Sequence, residues 1–350
     1  MAIKRFMATA DTTITNAFLE DLTTRATGAN MGLADSLEVF SVYGQVSGGL
    51  GSNSLYLGTA TGSSGFSPEL SRILVKFPVT TGDDSTHSIQ AKRNSGGIPE
   101  SGSVSFFLRM YNVEHHESLP SGMTLNVLAV ASSSWEEGRG VDLDTYKDKT
   151  LDGAGANWIN ASDSTKWTKP GGDFHAGDDR RNRGIVYSQT LTNGNEDIEL
   201  NITDLVESWI KYTATNVTNY GIGIFLTSSQ EAYFSSSMGD SNATSDLPAI
   251  SGGILHNPAG AKTSYYTKKF SARSSEYFFK RPCIEARWDS ATKDDRGNFY
   301  YSSSLATGLE NLNTLYLYNY FRGSLRNIPS IGTGNIYVNL YSGSATVDKP

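Results

Sequence analysis

The chain has 350 residues, 38% of them hydrophobic and 19% charged, with a formal net charge of −7. It is too apolar for a disordered chain and long enough for two domains. Its acidic balance repels phosphate and disfavours nucleic-acid binding, and its single cysteine excludes an intrachain disulfide.

The N-terminal Met1-Ala2-Ile3-Lys4-Arg5-Phe6 places two cations where a signal peptide has them. Polar residues begin at Thr9, so no apolar stretch follows. No segment approaches the ~18 apolar residues of a membrane helix. The expectation is a soluble protein with no membrane partner, made inside a cell and not exported by that route. The N-terminal segment reads as an arm that docks rather than hangs free, because termini fray unless tied down.

Period-2 alternation recurs along the chain, as half-buried strands require. Ile73, Val75 and Phe77 alternate with Arg72, Leu74 and Lys76. Val104, Phe106, Leu108 and Met110 share one side of the next run. Ile198, Leu200 and Ile202 follow, then Ile222, Ile224 and Leu226. Turn-rich stretches such as Asn94-Ser95-Gly96-Gly97 and Asn193-Gly194-Asn195 separate them. One short helix breaks the pattern: Ile202, Leu205, Val206 and Trp209 share a helical face over roughly Asp204 to Lys211, with Thr203 as N-cap. Residues 46–68 and 230–263 read as long loops, which are uncommon unless mobile or in contact with a partner, and a partner contact is expected for at least one of them.

A polar linker, Lys293-Asp294-Asp295-Arg296-Gly297-Asn298, sets a boundary near residue 290. The expected organisation is residues 1–290 as a β-sandwich with its arm, then residues 291–350 as a linker and a second β domain. The second is Ig-like, small, and open to completion by another chain. Its strands run from Asn313 to Phe321 and from Asn335 to Tyr341. Tyr316, Tyr318 and Tyr320 line one face of the first, with Tyr337 and Tyr341 repeating the pattern on the second. An aromatic face of this kind docks a protein neighbour, stacks on a sugar, or is plain sheet surface because tyrosine favours strands; these five tyrosines are the candidate assembly or partner surface.

Other constellations are weaker. His115-His116-Glu117 has ligand types suited to zinc, but adjacent strand residues diverge. Asp142, Asp144 and Asp173 could offer oxygens to calcium, though a hydrated loop explains them. Arg180, Arg181 and Arg183 follow Asp178 and Asp179, as in a solvated loop. Cys283 sits in the strand-like run Cys283 to Trp288, where it reads as a packed small side chain. No phosphate loop, dinucleotide fingerprint, nucleophile elbow or zincin helix occurs. No metal, cofactor or catalytic residue is assigned, and no enzymatic activity is expected.

Six segments come in a familiar order. They are Trp135-Glu136-Glu137-Gly138, Asn157-Trp158, Trp167 to Asp173, Glu199 to Trp209, Asn219 to Ile224 and Arg281 to Ala286. Together they resemble the DNRLRE-type jelly-roll domains of bacterial surface and carbohydrate-associated proteins. That likeness implies an all-β jelly-roll sandwich over residues 1–290. Trp158 and Trp167 would cover its core, and the helix around Trp209 would close one end. Met1 to Phe6, Ala10 to Phe18, Tyr265 to Phe270 and Lys293 to Gly297 are similar to virion structural proteins of contractile-tailed marine cyanophages. This second resemblance implies a bacteriophage virion component, a tail, neck or capsid-associated fibre or decoration, and carries no catalytic residues. Its partners would be other virion proteins, in multiple copies or as a homo-oligomer. The alternative expectation is a glycan-binding adhesin for a host surface.

Overall fold

The computed structural model describes residues 1–17, 26–45, 66–114, 122–131, 134–141, 143–144, 147–148, 155–175, 184–212, 217–233, 255, 257–291, 316, 318 and 320–325. By packing, the chain divides into Met1–Asp289 and Ser290–Pro350. The first unit contains β1 (Ala2–Met7), β2 (Ala10–Thr15), β3 (Ser36–Gln45), β4 (Phe66–Lys76), α1 (Ile89–Asn94), β5 (Val104–Met110) and β6 (Met123–Ala129). The short β7 (Leu143–Asp144), β8 (Lys147–Asp148), β9 (Asn160–Ser162) and β10 (Thr165–Lys166) come next. Then follow β11 (Tyr187–Leu191), β12 (Ile198–Asn201), α2 (Thr203–Tyr212), β13 (Ile222–Leu226), β14 (Tyr265–Ser271), a 3-10 turn (Phe278–Lys280) and β15 (Cys283–Trp288).

The unit is an all-β sandwich. Its smaller sheet has the antiparallel order β1-β15-β5-β12. The larger has the order β11-β6-β13-β4-β3-β14, with β2 also paired to β4. Alternation explains why they stack. On β5, Val104, Phe106, Leu108 and Met110 are buried while the residues between them are half-exposed. They meet Ile73 and Val75 of β4, Leu125 and Val127 of β6, and Ile222 and Ile224 of β13 in one apolar core. Each such side chain contributes about 1.5–3 kcal/mol by leaving water. Trp209 of α2 joins the same core.

The second side of β4 is buried as well. Leu70 and Leu74 pack with Ile14, Trp135, Trp158 and Trp167 in a separate cluster. Connecting segments therefore roof the outer face of the larger sheet. Asn30 ties that roof together. Its amide nitrogen donates to the Glu137 and Ala156 carbonyls, and its oxygen accepts from Gly32 and Gly140. Gly138 belongs here at φ 77°, because a Cβ would lie 2.2 Å from the Asn30 amide.

The N-terminus is integral rather than an arm. β1 is an edge strand of the smaller sheet, and β2 lies in the larger one. The crossing takes two residues: Ala8 N donates to Pro282 O, and Thr9 N donates to Lys76 O. Phe6 and Ile14 explain the capture, since each is buried in one of the two apolar clusters.

The helices correct two details. α2 begins at Thr203, with Asn201 Oδ1 accepting from Thr203 N. The Thr203 hydroxyl accepts from Phe106 N instead, so it joins the helix to β5 rather than capping it. A second helix, α1, starts at the N-cap Ser88 and ends where Gly96, at φ 73°, donates to Arg93 O and Gly97 donates to Lys92 O. That pair of bonds is a Schellman motif. Of the two expected loops, 46–68 ends earlier, because β4 starts at Phe66 and sets Pro68 opposite Tyr43. Residues 230–233 are pinned by a parallel bridge between Ala232 and Ala261. Residues 46–65, 234–254 and 256 lie outside the described residues.

In the second unit the described pairing is a hairpin of β16 (Tyr320–Phe321) and β17 (Ser324–Leu325). Arg322 at φ 50° and Gly323 at φ 76° form its turn, which matches the twist of the flanking strands. Tyr316 and Tyr318 carry no ladder in the structure.

Candidate functional site

Among the described residues of the first unit, the connection from β14 to β15 presents a cluster of exposed aromatic residues. Tyr277 is 60% exposed, Phe278 53% and Phe279 74%. Rings of that size usually leave water on folding. Their backbone is held firmly from below. Ser275 is buried, its N donates to Ala272 O, and its hydroxyl accepts from Tyr277 N. Lys280 N donates to Tyr277 O, and Arg281 Nε donates to Ser275 O. The rings are also braced against one another. Phe278 and Phe279 meet edge to face at 5.5 Å. Lys280 Nζ sits 5.3 Å from the Tyr277 ring centre, and the Arg281 guanidinium 5.6 Å from that of Phe278. A fixed turn thus displays apolar surface flanked by two cations.

Beside this turn lies an open groove of about 650 Å³. Its walls are polar: Asp35 and Ser36 at the start of β3, Asn112 and Glu114 after β5, and Ser271, Ser274, Glu276, Tyr277 and Lys280 around the turn. Asn112 is set in place by a buried ammonium, since Lys268 Nζ donates to Asn112 Oδ1 and to Gly194 O.

The outer face of the smaller sheet carries a charge ladder. Arg5 and Arg287 both bind Glu285, Arg287 reaches Glu199, and Arg109 pairs with Glu199 and Asp197. Burial works to raise the Glu285 carboxyl, and Arg287 and Arg5 together hold it below its ordinary range. Opposite charges alternate across the strands, so this face offers no single-sign field to nucleic acid.

The residues singled out from sequence fall elsewhere. Tyr316, Tyr318 and Tyr320 are exposed, whereas Tyr337 and Tyr341 lie outside the described residues. His115, His116, Glu117, Asp142, Arg180, Arg181 and Arg183 also lie outside them. Asp173 spends its carboxylate on its own turn, accepting from Thr168 N and Lys169 N. No group of three or more His, Cys, Asp or Glu residues able to hold a metal occurs among the described residues. Cys283 is buried and its thiol is pushed up to about 11 by desolvation and by Glu285. A thiol of that kind packs rather than reacts. No helix of the described residues is long and apolar enough to cross a membrane.

Sequence reading missed the aromatic turn. The signal was present in Glu276-Tyr277-Phe278-Phe279-Lys280, where three consecutive rings between charges violate both strand and helix periods. No family model matches the chain, and no curated protein matches it.

Proposed function

We propose that this chain is a non-enzymatic structural or accessory component of a bacteriophage virion, acting through protein–protein contacts in a multi-copy assembly. The observation that carries the reading is the braced aromatic turn at Tyr277 to Phe279, exposed on a backbone that hydrogen bonds hold still. Large aromatic residues flanked by cations make interface anchors when a partner removes them from water. The open edge of β1 supports it further, since Ile3 and Met1 stand exposed there and an edge strand can pair with another chain. Many copies multiply weak contacts of this kind into a stable particle.

The test is cross-linking mass spectrometry on purified particles. Lys280 is expected to link to other virion proteins or to a second copy. Particles assembled with the Phe278→Ser/Phe279→Ser double variant are expected to lose those links and most of the incorporated chain. Absence of the wild-type chain from purified particles overturns the reading.

A further inference from the structure

We propose that the groove beside Tyr277 is a binding site for a neutral saccharide, with Asn112 and Glu114 bonding its hydroxyls and Tyr277 forming its aromatic rim. This goes beyond the assembly reading and does not rest on it.

Asn112 is held from two sides. Its oxygen is taken by Lys268 Nζ and its backbone N–H donates to Asp197. Lys268 is itself almost wholly buried, so the amide cannot turn over without stranding an ammonium. The amide nitrogen is therefore fixed as a donor, and it makes no hydrogen bond among the described residues. Two residues on, Glu114 lines the same groove with a carboxylate that is also unbonded among them. The Ser274 hydroxyl and the Asp35 carboxylate add a further donor and acceptors. On the rim, the Tyr277 ring remains exposed.

The chemistry selects the ligand class. A groove of about 650 Å³ falls within the ~300–1,000 Å³ of small-molecule sites. The acceptors are spread out, and none of the described carboxylates gather into a metal-holding group. A basic peptide would also use the acceptors and offer a backbone carbonyl to the amide donor, and the trilysine control tests that occupant. A sugar hydroxyl both donates and accepts, and its C–H face packs against an aromatic ring. Asp35, Glu114 and Glu276 outnumber Lys280, so acidic sugars are repelled.

The probes are cellotriose, maltotriose and chitotriose, with trigalacturonate and trilysine as controls, titrated into the full chain by NMR and calorimetry. At least one neutral trimer is expected to bind with a dissociation constant of about 1 mM or tighter. Asn112→Asp keeps an acceptor for Lys268 but removes the donor. It, Glu114→Gln and Tyr277→Ala are each expected to weaken binding at least tenfold, with the circular dichroism spectrum unchanged. Phe279→Ala, outside the groove, is expected to bind as wild type, which separates this site from the assembly surface. The proposal is overturned if no neutral trimer binds at ~10 mM, if the three variants bind undiminished, or if trigalacturonate or trilysine binds as tightly.

Discussion

Arg72 and Glu231, 159 positions apart in sequence, meet in a two-pronged ion pair beneath the roof of the larger sheet. The third guanidinium nitrogen donates to Gly171 O, and the group lies 4.8 Å from the Phe225 ring centre and 5.5 Å from that of Trp158. Desolvation pushes the Glu231 carboxyl up, and the charge and hydrogen bonds of Arg72 oppose it. Breaking such a pair leaves a charge stranded, whereas replacing both partners with apolar groups does not. Glu231→Gln is expected to cost about 3–5 kcal/mol. Arg72→Met/Glu231→Leu is expected to cost less than the single change. Urea unfolding followed by tryptophan fluorescence checks this. All five tryptophans lie within Met1–Asp289, so the signal reports that unit alone. A double variant less stable than Glu231→Gln would contradict the account.

Asn30 makes a second long-range claim on stability. Four hydrogen bonds of its side chain join segments near residues 32, 137–140 and 156. Asn30→Ala would leave buried backbone groups unpaired, each at about 1–3 kcal/mol. The expected outcome is loss of several kcal/mol and early exposure of Trp158 to acrylamide quenching, before the inter-sheet core opens. Simultaneous loss of all tryptophan signals would show instead that the roof and the core unfold as one.

How much of this was legible in the sequence depends on range. Val104 to Met110 announces its strand because period 2 is local and its two sides differ in burial, and Ile222, Ile224 and Leu226 announce the next by sharing one side. Thr203 to Tyr212 announces its helix for the same reason. α1 hides because six residues hold too few periods, although Ser88 and Gly96-Gly97 bracket it with sound capping chemistry. Arg72 and Leu74 read only as the second side of a strand, and the roof that buries them comes from residues about 60 to 160 positions away. The groove was invisible for that reason too, since Asp35, Asn112 and Glu276 converge only through sheet pairing.

Asp11 couples the unit to pH. It is buried and its carboxyl is pushed up to about 7, mainly by desolvation. Glu137 adds to the rise, while the Arg273 N–H and the charges of Arg273 and Arg281 oppose it. The folded chain therefore holds this proton more tightly than the unfolded chain does. The stabilisation is complete below pH ~4 and is lost as pH rises to about 7, by up to about 4 kcal/mol. Asp11→Asn removes the titration. Its stability relative to wild type is expected to be greater at pH 8 than at pH 5, measured by urea unfolding at both. An equal difference at the two values would mean that Asp11 ionises normally.

Lys268 titrates in the opposite sense. Burial lowers its ammonium to about 8, against the pull of Glu196 and Asp197. Its nitrogen lies 5.0 Å from the Phe270 ring centre and donates to Asn112 and Gly194. Between pH 8 and 10.5 the unfolded chain keeps a proton that the folded chain has released, so this group makes stability rise with pH across that window. Lys268→Met lacks the rise. It also lacks the donor that orients Asn112. Two results are expected: the stability gap between wild type and Lys268→Met shifts in favour of wild type from pH 8 to 10, and Lys268→Met binds the neutral trimer more weakly than wild type at pH 7. A variant with unchanged affinity would show that the buried ammonium does not orient the Asn112 side chain and has no part in the groove.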